Sequence, residues 1–232
     1  MRQELFDRNV AQLVQIPKQR KRKLVPWTSE EARRFLESAR SDSDPLYAAY
    51  VLVLILGLRK GEVLGLAWDS VNFEQSTLVP DHQLQRVRRS LLYRETKTEA
   101  SDAWLPIPDI VTAALKIRRG QQDEEREAVG EIWQQTKDVP SLIFTGRYGT
   151  AIDPRTLNRK FVARCEAAGG RPITVRDARH TCATLLVDLD VHPRVIMRIL
   201  RHANQAVTME IYANASSAAT REALRRLGDI LD

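Results

Sequence analysis

Hydrophobic positions in the first part of the chain recur with the period of an α-helix. In PWTSEEARRFLESAR, Thr28 can cap a helix and Glu31 completes a capping box, after which the buried face begins at Phe35. We expect this helix to end near Arg40. The next stretch, LYAAYVLVLILGL, is apolar on every side, which is typical of a central buried helix, and we expect it to end at Gly57.

Beyond Trp68 the hydrophobic period shifts toward two, the period of a β-strand. The segments VNFEQSTLV, LQRVRRSLLYR and DAWLPIP show this alternation, and ETKTEAS is the predicted turn between the last two. Helical patterns return at residue 109. Helices are predicted at 109–129, 153–168, 176–189, 193–201 and 217–227, with a short extended piece at 142–144. The pattern predicts an α+β fold that is mainly α, a helical domain with a small antiparallel β-sheet.

The composition indicates a globular chain. Of the 232 residues, 43% are hydrophobic and 28% are charged. The longest apolar run, 48–58, falls well short of the roughly 20 residues that a membrane span requires, so we expect no membrane partner. The first residues are charged rather than apolar, and Cys165 and Cys182 are too few for a disulfide scaffold. We therefore expect a cytoplasmic protein.

Positive charge is concentrated in two clusters. The chain has 36 lysines and arginines against 30 acidic residues, a formal net charge of +6. The first cluster, KQRKRK, contains Lys18, Arg20, Lys21, Arg22 and Lys23. The second, in QLQRVRRSLLYRETK, includes Arg86, Arg88 and Arg89. A solvated basic surface explains either cluster alone, whereas several clusters beside one site favour a polyanionic partner such as nucleic acid.

The common cofactor motifs are absent from the sequence. The chain has no glycine-rich phosphate loop ending in Lys-Ser/Thr, no His-Glu-x-x-His and no Cys-x-x-Cys, and its four histidines are scattered. We predict no metal site and no cofactor.

Several cations lie at the ends of predicted helices. Arg59 follows the buried helix directly, and Glu62 is spaced to orient its guanidinium. The alternative is a favourable charge at a helix C-terminus. Arg176, Arg179 and His180 share one face at the start of a later helix, where positive charge opposes the helix dipole, so a bound anion is the better explanation.

The other side of that later helix is apolar. Leu185, Leu186 and Leu189 can turn toward the core. His202 follows the next helix, where it is either a partner of the helix dipole or part of a site. Tyr212 lies ten residues further on beside small residues, a setting that can leave its hydroxyl accessible, although most isolated tyrosines are packed or surface aromatics.

Five short motifs in order resemble those of the tyrosine recombinases, the phage-type integrases that cut and rejoin DNA without a metal. They are GLRKGE, a TKT turn followed by LPIP, DARHT, LRH and TMEIY, and the resemblance covers roughly Trp27 to Leu227. It implies a catalytic domain at 26–232. Residues 1–25 would then be the linker and tail of an N-terminal core-binding domain that precedes this chain.

The resemblance also implies roles for individual residues. Those of the catalytic site would be Arg59, Lys97, Arg176, Arg179, His202 and the nucleophile Tyr212, supported by Glu62 and His180. Two positions depart from the family pattern. Arg176 stands where the family usually has histidine, and an arginine can donate to a phosphate but cannot accept the tyrosine proton. Arg201 stands where the family prefers glycine, which adds a cation to that turn.

The resemblance implies a metal-independent and ATP-independent reaction on double-stranded DNA. Tyr212 would form a 3'-phosphotyrosyl intermediate, Lys97 would protonate the leaving oxygen, and the basic clusters would contact the DNA backbone. Assembly as a tetramer on DNA and an accessory directionality protein are also implied. Leu224, Leu227 and Leu231 form an apolar stripe that packs either on its own domain or on a neighbouring protomer. Two other functions stay open, a type IB topoisomerase and a DNA-binding regulator with a decayed site.

Overall fold

The fold is mainly α with small antiparallel sheets, as the sequence predicts. A computed structural model describes residues 25–96, 104–134 and 139–201, together with residue 209. The helices are α1 Ser29–Ser41, α2 Tyr47–Leu56, α3 Lys60–Gly65, α4 Asp109–Val129, α5 Pro154–Ala167, α6 Val175–Asp188 and α7 Pro193–Leu200. The strands are β1 Val71–Asn72, β2 Thr77–Leu78, β3 His82–Val87, β4 Ser90–Glu95 and β5 Leu105–Pro106. The predicted helix at 217–227 lies outside the described residues.

Helix α1 begins with the predicted capping box. The Thr28 hydroxyl accepts a hydrogen bond from the backbone N–H of Glu31 at 3.2 Å, and the Glu31 carboxylate accepts one from the Thr28 N–H at 2.8 Å. These two bonds satisfy backbone donors that the first helical turn leaves unpaired.

Helix α2 lies at the centre of the core, as its uniformly apolar sequence predicts. All of its residues except Ile55 are buried, and it packs against α1, α4 and α6. The helix ends at Gly57, whose φ of 58° is left-handed. A glycine fits here for a second reason, because a Cβ at this position would lie 2.2 Å from the Leu200 side chain.

The region between α3 and α4 contains more and shorter strands than the alternating pattern predicts. Segment LQRVRRSLLYR is not one strand but a hairpin, in which Val87 pairs with Ser90 across a turn at Arg88 and Arg89. Arg88 has a φ of 54° at this turn, a position where glycine is more usual. The other strands form a separate sheet in the order β1-β2-β5. The predicted turn at 95–101 lies mostly outside the described residues.

Helices α4, α5, α6 and α7 begin and end within two residues of their predicted limits. The extended piece at 142–144 is also present, and Leu142 forms an antiparallel bridge with Ala67. The prediction for Leu189 is wrong, since its side chain is 73% exposed. Helix α6 ends at Asp188, so Leu189 leaves the helical face that carries the buried residues. Among the described residues, no helix combines the length and the apolar character needed to cross a bilayer.

Candidate active site

Arg59 and Glu62 meet at the start of α3, as their spacing predicts. Arg59 directly precedes the helix, and its backbone N–H donates to Glu62 Oε2 at 2.8 Å. Its guanidinium donates from Nη1 to Glu62 Oε1 at 2.6 Å. The Arg59 side chain is 45% exposed, whereas that of Glu62 is 2% exposed. The carboxylate therefore holds an arginine whose outer face remains open to solvent.

Arg201 reaches the same carboxylate from the interior. Its Nη2 donates to Glu62 Oε2, and its backbone carbonyl accepts from Arg59 Nη2 at 3.1 Å. Arg201 directly follows α7 with a left-handed backbone, at a φ of 50°, a conformation that glycine adopts readily. Its guanidinium is buried, and Nε and Nη1 have no hydrogen-bond partner within the described part of the chain. Neither the sequence pattern nor the family resemblance predicted a role for this side chain.

Arg179 joins the ends of two helices. Its Nη1 donates to the carbonyl of Gly57 at the end of α2, and its Nη2 donates to the carbonyl of Leu200 at the end of α7. Burial, followed by the nearby charge of Arg59, lowers the pKa of Arg179 to about 10. The guanidinium is therefore still protonated at neutral pH.

Two arginines, Arg59 and Arg201, thus share the Glu62 carboxylate, and Arg179 lies near enough to interact with its charge. Burial alone would raise the pKa of Glu62, but Arg201 and the N–H and guanidinium of Arg59 outweigh burial and hold this pKa below its ordinary value. Glu62 is consequently ionised at neutral pH. It balances one of the charges on Arg59, Arg179 and Arg201, and the cluster keeps an excess of positive charge.

Helix α6 places the predicted anion-binding face beside this cluster. Arg176 is exposed in the first turn, and Arg179 follows one turn later. His180 is half-buried, and its carbonyl accepts from the Thr184 hydroxyl at 3.1 Å. Asp177, which the sequence pattern did not single out, forms a capping box with Thr174, the residue before the helix. Asp177 supplies negative charge at the helix start, so the dipole argument for a bound anion is weaker than predicted.

The three arginines of the β3–β4 hairpin differ in their surroundings. Arg88 and Arg89 are exposed at the turn. Arg86 instead pairs with Asp153 at the start of α5 and donates to the carbonyl of Arg89 at 2.7 Å. The guanidinium of Arg86 therefore holds the hairpin against α5.

Two glycines allow the hairpin to lie directly on α3. A Cβ added at Gly65 would be 2.6 Å from the Cα of Gln83, and one added at Gly61 would be 3.0 Å from the carbonyl oxygen of Leu84. Both contacts involve backbone of β3, which cannot yield as a side-chain tip can. This close approach brings the hairpin next to the helix that Arg59 begins.

The remaining predicted site residues lie outside the described residues. These are Lys97, His202, Tyr212 and the cluster Lys18, Arg20, Lys21, Arg22 and Lys23. Within the described ranges there is no group of three His, Cys, Asp or Glu side chains that could hold a metal ion.

The chain belongs to the phage integrase family, whose model matches residues 27–219. It is 27% identical over 214 residues to a tyrosine recombinase XerC-like protein of Caldanaerobacter subterraneus, covering 88% of this chain and 54% of that protein. It is 29% identical over 222 residues to an integrase of Streptomyces ambofaciens, covering 91% and 55%. The chain spans about half the length of the curated relatives it matches.

Solved structures of recombinases share the fold. The integrase of transposon Tn1549 in complex with transposon right end DNA has a TM-score of 0.77 and 22% identity, over 96% of this chain and 71% of that one. The XerA recombinase has a TM-score of 0.63 and 24% identity, over 91% and 66%. These similarities confirm the predicted fold.

Proposed function

We propose that this chain is the catalytic part of a site-specific recombinase, an integrase of a mobile element that cleaves and rejoins double-stranded DNA. One observation carries the proposal. Arg59 and Arg179, which lie on different elements, donate to the adjacent carbonyls of Arg201 and Leu200. Two guanidiniums therefore bind the two residues that precede His202, in the segment that leads to Tyr212.

In the proposed reaction the Tyr212 hydroxyl releases its proton to solvent, and the resulting phenolate attacks a DNA phosphorus. A bond forms between the tyrosine oxygen and phosphorus, and the bond from phosphorus to the 5'-oxygen breaks. The products are a 3'-phosphotyrosyl link and a free 5'-hydroxyl. Lys97 would supply the proton to the 5'-oxygen, since an ammonium releases a proton more readily than a guanidinium. Attack by a 5'-hydroxyl reverses the step, and the retained ester bond makes ATP unnecessary.

The arginines would stabilise the charge that develops on the phosphate oxygens. Arg59 has the exposed face that a phosphate can reach. A planar guanidinium can donate two parallel hydrogen bonds to two oxygens of one phosphate. Arg176 and His202 would add donors, with Glu62 and His180 in support. The same positive cluster would lower the pKa of Tyr212 by stabilising its phenolate. Donors fixed before the reaction need no reorganisation as charge develops.

The proposed organisation follows the family. Residues 26–232 would form the catalytic domain, with 1–25 as a linker from a core-binding domain, and the family model begins at residue 27. Arg88, Arg89 and the first basic cluster would contact DNA phosphates, while Arg86 would hold the hairpin in place. We further propose assembly as a tetramer on DNA, with an accessory directionality protein, in the nucleoid of a bacterial cytoplasm.

A nicked suicide duplex tests the proposal. DNA flanking the gene would be labelled and nicked so that cleavage releases a short strand and traps the covalent adduct. We expect wild-type protein and Tyr148→Phe, which alters an exposed tyrosine, to form a protease-sensitive adduct. Tyr212→Phe should bind the duplex without forming it. If wild-type protein binds but forms no adduct, the protein is a DNA-binding regulator, and relaxation of any supercoiled plasmid without site-specific exchange would indicate a topoisomerase.

A further inference from the structure

Arg201 occupies a position that is energetically unfavourable for an arginine. Its side chain is completely buried, its backbone is left-handed, and two of its guanidinium nitrogens lack partners among the described residues. A glycine would adopt this backbone without strain and would bury no charge. The features that oppose an arginine here are offset by one strong contact, the ion pair with Glu62.

We propose that Arg201 is a positioning residue of the DNA-cleaving site, which fixes Glu62 from the interior and keeps the exposed Arg59 electropositive toward a phosphate. This inference rests on the proposed function. The Glu62 carboxylate binds Arg59 through both oxygens, and Oε2 is shared with Arg201. With Arg201 in place, the orientation of the carboxylate is set from two sides.

The charge of Arg201 matters as much as its shape. Without it, Glu62 would neutralise Arg59 alone, and that pair would offer a phosphate no net positive charge. The groups that face Glu62 are Arg59 and Arg201, with Arg179 near enough to interact with its charge. Loss of Arg201 would raise the pKa of Glu62, because Arg59 alone would then oppose the effect of burial on the carboxylate.

Variants of the Arg201 side chain separate the effect of its guanidinium from that of its backbone carbonyl. The carbonyl that accepts from Arg59 belongs to the backbone of Arg201, so it persists when the side chain is changed. Arg201→Met keeps the bulk and removes the charge, whereas Arg201→Lys keeps both. Arg201→Gly removes the charge and relaxes the left-handed backbone, so it provides a second neutral variant if the methionine variant does not fold.

The experiment measures single-turnover adduct formation on saturating nicked duplex between about pH 5 and pH 9. We expect Arg201→Met and Arg201→Gly to react at least about 10-fold more slowly than wild type, and Arg201→Lys within about 3-fold. A protonated Glu62 would no longer hold Arg59 through both oxygens, so in both neutral variants the acid limb of the rate profile should move to higher pH, a change that a purely structural role would not produce. Arg33→Met removes the same charge from the exposed face of α1 and should leave rate and profile unchanged.

Two failures are distinguishable. If wild-type protein forms no adduct, the proposed function is wrong. If wild type reacts and a folded neutral variant reacts at the same rate with the same pH profile, the proposed function stands and the role of Arg201 is wrong.

Discussion

Three arginines lie together at the candidate site, and they differ in how many of their hydrogen-bond donors already have partners. Arg179 donates from both Nη atoms to helix-terminal carbonyls. Arg201 is enclosed against Glu62. Arg59 has partners on one side and solvent on the other. A phosphate that approaches from solvent would therefore meet Arg59 first, with the buried Arg201 and the half-buried Arg179 supplying positive charge behind it.

Variants at Arg176, where the family usually has histidine, test whether this position needs only a hydrogen-bond donor to phosphate. Arg176→His should retain cleavage, because both side chains can donate to a phosphate oxygen, whereas Arg176→Ala should cleave at least about 10-fold more slowly. Adduct formation on the nicked duplex measures both, with Arg34→Ala on α1 as an exposed control. Equal rates for wild type and both variants would remove Arg176 from the site.

Sequence spacing predicts contacts within one element better than contacts between elements. The pairing of Arg59 with Glu62 follows from their separation of three residues at a helix start. The contact between Arg201 and Glu62 joins residues 139 positions apart and depends on how α7 ends against α3. The departure from glycine at Arg201 marked the position, but nothing in the sequence indicated its partner.

At the scale of elements, the packing of β3 on α3 depends on two glycines in a short helix. The same glycines explain why the sequence pattern did not predict α3, since glycine is a poor helix former and the helix has six residues. The hairpin turn was missed for a related reason. It contains Arg88 and Arg89 rather than the glycine or asparagine that usually marks a two-residue turn.

Gly65→Ala should displace the hairpin. The added Cβ would overlap the backbone of Gln83, so we expect the free energy of unfolding to fall by about 1–3 kcal/mol and adduct formation to slow. Gly120→Ala is the matched control, because its Cβ would meet nothing within 4 Å, and it should stabilise α4 by up to about 1 kcal/mol. Urea unfolding measures both changes. Equal stability of the two variants would show that β3 does not press on α3 at this point.

At the scale of the whole molecule, an aromatic cluster ties the start of the described chain to the core. The Trp27 ring lies 5.0 Å from that of Phe35 and 6.0 Å from that of Phe161, measured between centroids. The indole N–H donates to the carbonyl of Arg171 at 3.1 Å. The hydrophobic pattern predicted Phe35 as a core residue, but the stacking with Phe161 brings together elements distant in the sequence.

Trp27→Ala should destabilise the protein strongly. Removal of a buried ring leaves a cavity, and we expect the free energy of unfolding to fall by about 3–5 kcal/mol. Trp104→Ala removes a ring that is 57% exposed and should change stability by less than about 0.5 kcal/mol. Urea unfolding followed by circular dichroism compares the two, and a small effect at Trp27 would show that this cluster is dispensable.

The first described residues are hydrogen-bonded to α6, the helix that carries Arg179, and to Arg171. The Trp27 backbone N–H donates to the Thr181 hydroxyl at 3.1 Å, and the Arg171 guanidinium donates to the carbonyls of Val25 and Pro26. Thr181 lies two residues after Arg179 in α6. A displacement of the chain at Trp27 would therefore act on α6 close to Arg179, through the hydrogen bond to Thr181.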